Sequence, residues 1–571
     1  MAVPGMYPYY GFQTAAKAPL PAPAAKKARK SRVTMNACDI SPRFKALPIT
    51  LLSGFLGSGK TTLLSYVLNS KSHGLKIAII VNDMAAVNVD EGIIVADSKK
   101  KGREAEKMIA MQNGCICCTL RGDFVIELAK MARAGEYDYV IIESTGISEP
   151  QQVAESFTAN FTEAMMNADG ALDQFDEEEK KVFNEIAEAG GLNKIAKLDT
   201  TVTVLDGFRF FEEFETIQLL HERFESEVET PEDQRTVSDL MIDQIEFADV
   251  IIVNKIDMID DDMLLRIRGL IRTLNPGAKV LETSLRLSKQ SENPHGVIPL
   301  DVREIIATGL YSEETSVKSV GWLKSLQDMS MIDNFGRKVL APKPETLEYG
   351  INSFVYRARK PFHPGRLYEL VHDKFVILEP QEEEEEEEVE EESEGEGTLP
   401  HPKTDDTSVS SNSSAPQAKY PDPPITTRLA NKKSHPIFKS LLRSKGFIWL
   451  ATRPYVSGDW SQAGAMLTVS GGLNWFACVP SEQWHSPSED VTELIKKDFE
   501  GEWGDRRQEV VFIGEGIDVN SIKGRFDECL LSDSEMEQWE TAMRKEGLTD
   551  EEREGLLCDA FDDGWGTGQT R

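Results

Sequence analysis

Lys60 and Thr61 close the run Gly54-Phe55-Leu56-Gly57-Ser58-Gly59-Lys60-Thr61-Thr62, a G-x-x-x-x-G-K-[ST] spacing whose residue types suit a nucleotide phosphate. Three glycines let the backbone wrap closely enough for its N–H groups to face phosphate oxygens, and a following helix adds the positive end of its dipole. Lys60 is expected to reach the β- and γ-phosphates and Thr61 to ligate Mg²⁺, which takes hard oxygen donors.

A second group is softer. Gly114-Cys115-Ile116-Cys117-Cys118-Thr119 crowds three thiols into four positions. Thiolates suit Zn²⁺ or Cu(I), and a tight loop can aim Cys115, Cys117 and Cys118 at one ion, leaving a fourth position open for transfer or catalysis. Cysteines packed as small apolar residues, or a redox pair, are the other readings.

These residues need elements to hold them. The phosphate loop lies between the apolar run Ile49-Thr50-Leu51-Leu52 and the helical pattern Leu63-Leu64-Ser65-Tyr66-Val67-Leu68. Further apolar, β-branched runs follow at Leu75–Val81, Tyr139–Ile142, Thr201–Leu205 and Val250–Val253, separated by helical stretches. That alternation predicts an α/β fold, a parallel sheet with helices on both faces, in which ligands sit at the carboxyl ends of the strands. The residues after each run are therefore the ones to inspect. Asn82-Asp83 begins a polar segment placed as a switch loop, with Asp83 near the metal. Glu143-Ser144-Thr145-Gly146 offers a carboxylate for Mg²⁺ or its water and a glycine N–H for the γ-phosphate. In Asn254-Lys255-Ile256-Asp257, the Asp257 carboxylate can accept from guanine's ring N–H and amino group, whereas adenine would leave it unpaired. The ligand favoured is GTP.

With 571 residues the chain is long enough for two or three domains. A formal charge of −33 argues against nucleic-acid binding. No apolar run has the length of a membrane span and no signal-peptide core opens the chain, so a cytoplasmic protein is expected. Residues 1–45 read as a disordered tail whose Lys26-Lys27-Ala28-Arg29-Lys30 leaves a nuclear or organellar address open. Residues 46–310 form the nucleotide domain, and the acidic stretch Glu155 to Lys197 within it reads as an insertion over the sheet edge with a solvated helical face. A linker follows at 311–345, then a smaller α+β domain at 346–380 and 425–535. That domain is interrupted at 381–424 by an insertion carrying the glutamate run Glu382–Glu388, where like-charge repulsion forbids a core. Residues 536–571 read as a polar tail.

Together the phosphate loop, Asn113-Gly114-Cys115-Ile116-Cys117-Cys118, Glu143-Ser144-Thr145-Gly146-Ile147-Ser148-Glu149-Pro150 and Asn254-Lys255-Ile256-Asp257 closely resemble the CobW family of metallochaperone GTPases. The resemblance resumes at Gly350–Pro364, which is similar to the start of the CobW C-terminal domain, and at Gly446–Ala451 and Arg507–Gly514. It implies slow GTP hydrolysis, zinc at the cysteines and delivery of metal to a client metalloprotein, and leaves the oligomeric state open, a homodimer included. The chain departs from the family in carrying Asn82-Asp83 where members often carry Asn-Glu.

Overall fold

The computed structural model describes residues 46–70, 72–81, 108–110, 121–146, 148–158, 177–220, 235–286, 299–312, 330–332, 338–340, 350–378, 423–484 and 495–563, with 223, 492 and 565. The expected basic tail, and residues 381–422 of the expected acidic insertion, lie outside these. The chain divides into two compact units whose main boundary falls between Val355 and Tyr356.

In the amino-terminal unit, continuous apolar runs become parallel strands because both their faces must be covered. They are β1 (Leu47–Ser53), β2 (Ile77–Val81), β3 (Met108–Ala110), β4 (Tyr139–Glu143), β5 (Ala196–Asp206), β6 (Val250–Asn254) and β7 (Lys279–Glu282), in the spatial order β3-β2-β4-β1-β5-β6-β7. Alternate residues feed two cores. Ile49, Leu51, Ala78, Ile80, Val140 and Ile142 pack on one face with helices α2 (Arg121–Ala134), α3 (Pro150–Glu155) and α4 (Glu177–Ala189). Leu52, Ile77, Ile79, Ile141, Val202 and Ile252 pack on the other with α1 (Lys60–Asn69).

The acidic stretch after β4 departs from expectation. In α4 the side chains of Val182, Phe183 and Ile186 are buried, so this helix closes the sheet face as part of the core. Its acidic residues are the outer side of an amphipathic helix. Helices α5 (Phe210–Glu215), α6 (Val237–Phe247) and α7 (Asp261–Leu274) complete the unit's described helices of six residues or more. The stretch expected as a linker carries an antiparallel ribbon, β8 (Ser330–Ile332) with β9 (Lys338–Leu340).

The carboxyl-terminal sheet is mixed, with one parallel pairing at its edge beside antiparallel ones. It joins β10 (Ile351–Ala358), β11 (Val376–Leu378), β12 (Leu441–Ile448), β13 (Val456–Ala463), β14 (Met466–Asn474) and β15 (Gln508–Glu515) in the order β10-β15-β12-β13-β14-β11. The expected polar tail is a correction. It holds α8 (Asp533–Met543) and α9 (Asp550–Ala560), each started by a capping box, Ser532 with Glu535 and Thr549 with Glu552. Trp539 of α8 is fully buried, edge-on to Trp449 at 5.3 Å, and its Nε1 donates to the Ala451 carbonyl at 2.8 Å. A sparse apolar stripe thus suffices to dock helices whose outer sides are charged.

Candidate nucleotide-binding site

Strand β1 ends at Ser53, and the chain leaves it through Gly54 with φ 134°. A Cβ there would lie 2.3 Å from the Val204 carbonyl oxygen, so only glycine lets the loop turn this close to β5. At Gly59, φ 112°, a Cβ would strike the Asn254 side chain at 2.3 Å. Gly59 caps α1, whose first turn has no acidic residue, so its N–H groups face the loop without a competing carboxylate. Inside the loop Lys60 is 6% exposed and donates to the carbonyls of Gly54 at 2.7 Å and Phe55 at 3.2 Å. The Ser58 hydroxyl is buried with no hydrogen-bond partner among the described residues, Thr61 and Thr62 are half-buried, Phe55 is buried and Leu56 is exposed. A curled backbone around a buried ammonium and an orphaned hydroxyl is a cradle for an anion.

Glu143 is the last residue of β4, in register with Leu52 of β1 and Val81 of β2, and 4% exposed. Its carboxylate therefore stands at the carboxyl edge of the sheet beside the loop. The next residue is pinned there, since the Ser144 N–H donates to the Leu52 carbonyl at 2.9 Å. Gly146 then lies against the phosphate loop, where a Cβ would sit 2.9 Å from the Leu56 nitrogen.

At the other end of the site, Asn254 closes β6. Its Nδ2 donates to the Ser58 carbonyl at 2.8 Å and its Oδ1 accepts the Leu285 N–H at 3.0 Å. Asn254 thus braces two loops with both ends of its amide already used. Lys255 takes a left-handed φ of 61° and its ammonium meets Asp206 at the end of β5, 2.5 Å away. Asp206 also accepts the N–H groups of Phe208 and Arg209 at 3.1 and 3.3 Å, which fixes the turn after β5. Asp257 sits in the one-turn helix Ile256–Met258, half-buried, and its carboxylate has no hydrogen-bond partner among the described residues. That is the state in which it can accept from a ligand.

Two parts of this site escaped the sequence reading. Thr283-Ser284-Leu285, both polar side chains buried, follows β7 and joins the Asn254 brace. The signal was the short Lys279-Val280-Leu281-Glu282 run followed by two hydroxyl residues. Asp206 was the second, marked only by its place directly after an apolar strand.

Asp83, Cys115, Cys117 and Cys118 lie outside the described residues. Among the described residues no group of three His, Cys, Asp or Glu side chains could hold a metal ion. The described cysteines are Cys478, Cys529 and Cys558, all unpaired; burial pushes the Cys529 thiol up to about 12, which makes it inert. No helix among the described residues is long and apolar enough to cross a membrane.

The description "CobW/HypB/UreG, nucleotide-binding domain" matches residues 48–189 and 178–282, and "Cobalamin synthesis protein cobW C-terminal domain" matches 422–530. The zinc-regulated GTPase metalloprotein activator 1 of Dictyostelium discoideum is 34% identical over 501 residues, covering 86% of this chain and 82% of that protein. The zinc chaperone CobW of Pseudomonas aeruginosa is 28% identical over 246 residues, 42% of this chain and 56% of that protein. Among solved structures, the Zn(II)-bound YjiA GTPase from E. coli aligns over 85% of this chain and 100% of its own at 15% identity and a TM-score of 0.29. Similarity along nearly the whole chain, with the phosphate loop and the later motifs inside the matched range, places this protein in the CobW/HypB/UreG family.

Proposed function

We propose that this protein is a GTP-hydrolysing metallochaperone that carries zinc at Cys115, Cys117 and Cys118 and passes it to a client metalloprotein. The observation that carries the nucleotide half is the combination of a buried Lys60 inside the glycine loop with an Asp257 carboxylate that has no hydrogen-bond partner among the described residues. The metal half rests on the softness of three clustered thiols and on relatives named as zinc chaperones and a zinc-regulated GTPase.

GTP fits with its β- and γ-phosphates on Lys60 and the N–H groups of Gly57 to Thr61, and its base against Asp257. Thr61, Glu143 and Asp83 supply hard oxygen donors for Mg²⁺, which when bound neutralises charge on the β- and γ-phosphates. To reach a phosphate, the Lys60 ammonium exchanges its bonds to the Gly54 and Phe55 carbonyls for charge-assisted ones, so its charge is offered to the transferring group. Gly146 turns its N–H toward the same group, and water is the acceptor. In sequence Asp83 follows β2, the cysteine motif follows β3 and Gly146 follows β4, three strands adjacent in the sheet, which supports a coupling in which nucleotide state changes how the metal is held.

Product analysis tests the enzymatic half. Incubation with GTP and Mg²⁺ should yield GDP and inorganic phosphate in equal amounts, with Lys60→Ala losing tight triphosphate binding. Phosphate recovered on another small molecule would mean a kinase instead.

A further inference from the structure

The loop that follows Glu143 is held from behind. Glu149, the last residue before α3, has a side chain only 19% exposed, and its carboxylate accepts from Arg235 Nη1 at 2.9 Å and from Gln152 Nε2 at 3.2 Å. The other arm of the same guanidinium pairs with Asp243 of α6, 18% exposed. One residue further along α6, fully buried Gln244 donates its Nε2 to the Gly146 carbonyl at 3.4 Å, and its own main-chain carbonyl accepts the Thr203 hydroxyl at 2.7 Å. Arg235 itself is fixed in place, because its carbonyl accepts the Leu220 N–H at 2.9 Å and the next residue, Thr236, caps α6 by accepting the Asp239 N–H at 3.0 Å. Burial opposes the guanidinium charge, yet Asp243, Glu149 and Asp239 outweigh it and hold Arg235 protonated beyond its ordinary value.

We propose that Arg235 is a positioning residue for the γ-phosphate: by tying Glu149 to Asp243 it holds the Gly146 loop to α6 and, together with the Gln244 bond to the Gly146 carbonyl, sets the loop's placement against the phosphate loop. The inference rests on the GTPase reading given above. Its physics is local. Without the guanidinium, Glu149 loses its tie to α6, and two poorly solvated carboxylates, Glu149 at the end of the loop and Asp243 on the helix, have less opposite charge between them. The loop then moves away and takes Gly146 with it. A diphosphate is read by the glycine loop, Lys60, Thr61 and Asp257, none of which touches Arg235. A triphosphate is read by Gly146 as well.

The test is binding of a non-hydrolysable GTP analogue and of GDP to the full chain and to Arg235→Gln. Analogue affinity should fall about tenfold, within the 5- to 150-fold span usual for coupled sites, while GDP affinity changes by less than about twofold. Arg235→Lys, whose single ammonium can serve one carboxylate at a time, should recover part of the loss. Equal loss for both nucleotides, as a general weakening of the fold would give, overturns the inference, and so does no loss for either. Should Arg235→Gln fail to fold, Glu149→Ala, which removes the loop's end of the tie and leaves Arg235 on Asp243, is judged by the same two outcomes. Failure of the GTPase reading would show in the parent, as GTP left unbound or not hydrolysed to GDP and inorganic phosphate; failure of this inference shows only in the variants.

Discussion

Asn254 and Ser58 lie 196 residues apart in sequence, and the 2.8 Å bond from the Asn254 amide to the Ser58 carbonyl ties the turn after β6 to the glycine loop after β1. Asn254 is therefore a brace, whereas Asp257 three residues later is free to read a base. Truncating the first should damage structure; altering the second should damage choice.

Asn254→Ala removes the donor to the buried Ser58 carbonyl, which costs about 1–3 kcal/mol for a group left unsatisfied, and also the acceptor of the Leu285 N–H. Urea denaturation should show that loss, and GTP and GDP binding should weaken together. Asp257→Asn should leave stability within about 0.5 kcal/mol, as expected for a side chain with no partner among the described residues. Its effect should appear in competition binding as reduced preference for GTP over ATP. If Asp257→Asn discriminates as well as the parent does, the base-reading role of Asp257 is wrong.

Asp459 on β13 gives the carboxyl-terminal unit an alkaline weakness. Burial pushes its carboxyl up to about 6, only partly opposed by Lys445. A raised folded-state value means that the folded protein binds the proton more tightly than the unfolded chain. This contribution to stability is complete below about pH 4 and is lost as pH rises through 6. Asp459→Asn should therefore be nearly neutral at pH 4 and stabilising at pH 8, by on the order of 1–3 kcal/mol. Denaturation midpoints at the two pH values check this, and an unchanged difference between variant and parent would remove the assignment.

Trp539→Ala should destabilise the carboxyl-terminal unit by about 3–5 kcal/mol, the usual cost of emptying a buried tryptophan site, because it removes the packing on Trp449 and the bond to Ala451. Trp539→Phe keeps most of the packing and loses the hydrogen bond, so it should fall between the two. Thermal unfolding followed by tryptophan fluorescence separates the three proteins; a variant as stable as the parent would mean that α8 contributes little to the core.

The contrast between Ile251 and Trp539 shows what could be read in advance. Ile251 stands in a run buried on both sides, so β6 is continuous apolar sequence and announces itself, as do β1, β2, β4 and β5. Strand β7 is an edge, short and with Lys279 exposed, and carries no such run. Helices α4 and α8 bury a few apolar residues among many charged ones, so composition hides them and only periodicity reveals them. The phosphate loop was legible because its geometry demands particular residues at fixed spacing. Arg235, Asp206 and Gln244 were not, since their roles exist only once distant segments are brought together by the sheet.

The metal carries the central claim, that nucleotide and zinc act on one another through this fold. Coupling between two binding sites is reciprocal, and thiolate ligands must lose their protons, so zinc affinity should depend on nucleotide state and fall at acid pH. The decisive measurement is zinc titration of the full chain and of a triple variant, Cys115→Ser with Cys117→Ser and Cys118→Ser, each with a GTP analogue, with GDP and with no nucleotide. The parent should bind about one Zn²⁺ per chain, by the capacity of three thiolates and an open fourth position. Its affinity should differ between analogue and GDP, and the variant should lose the site. Equal zinc affinity in parent and variant, or an affinity indifferent to nucleotide, would contradict the account.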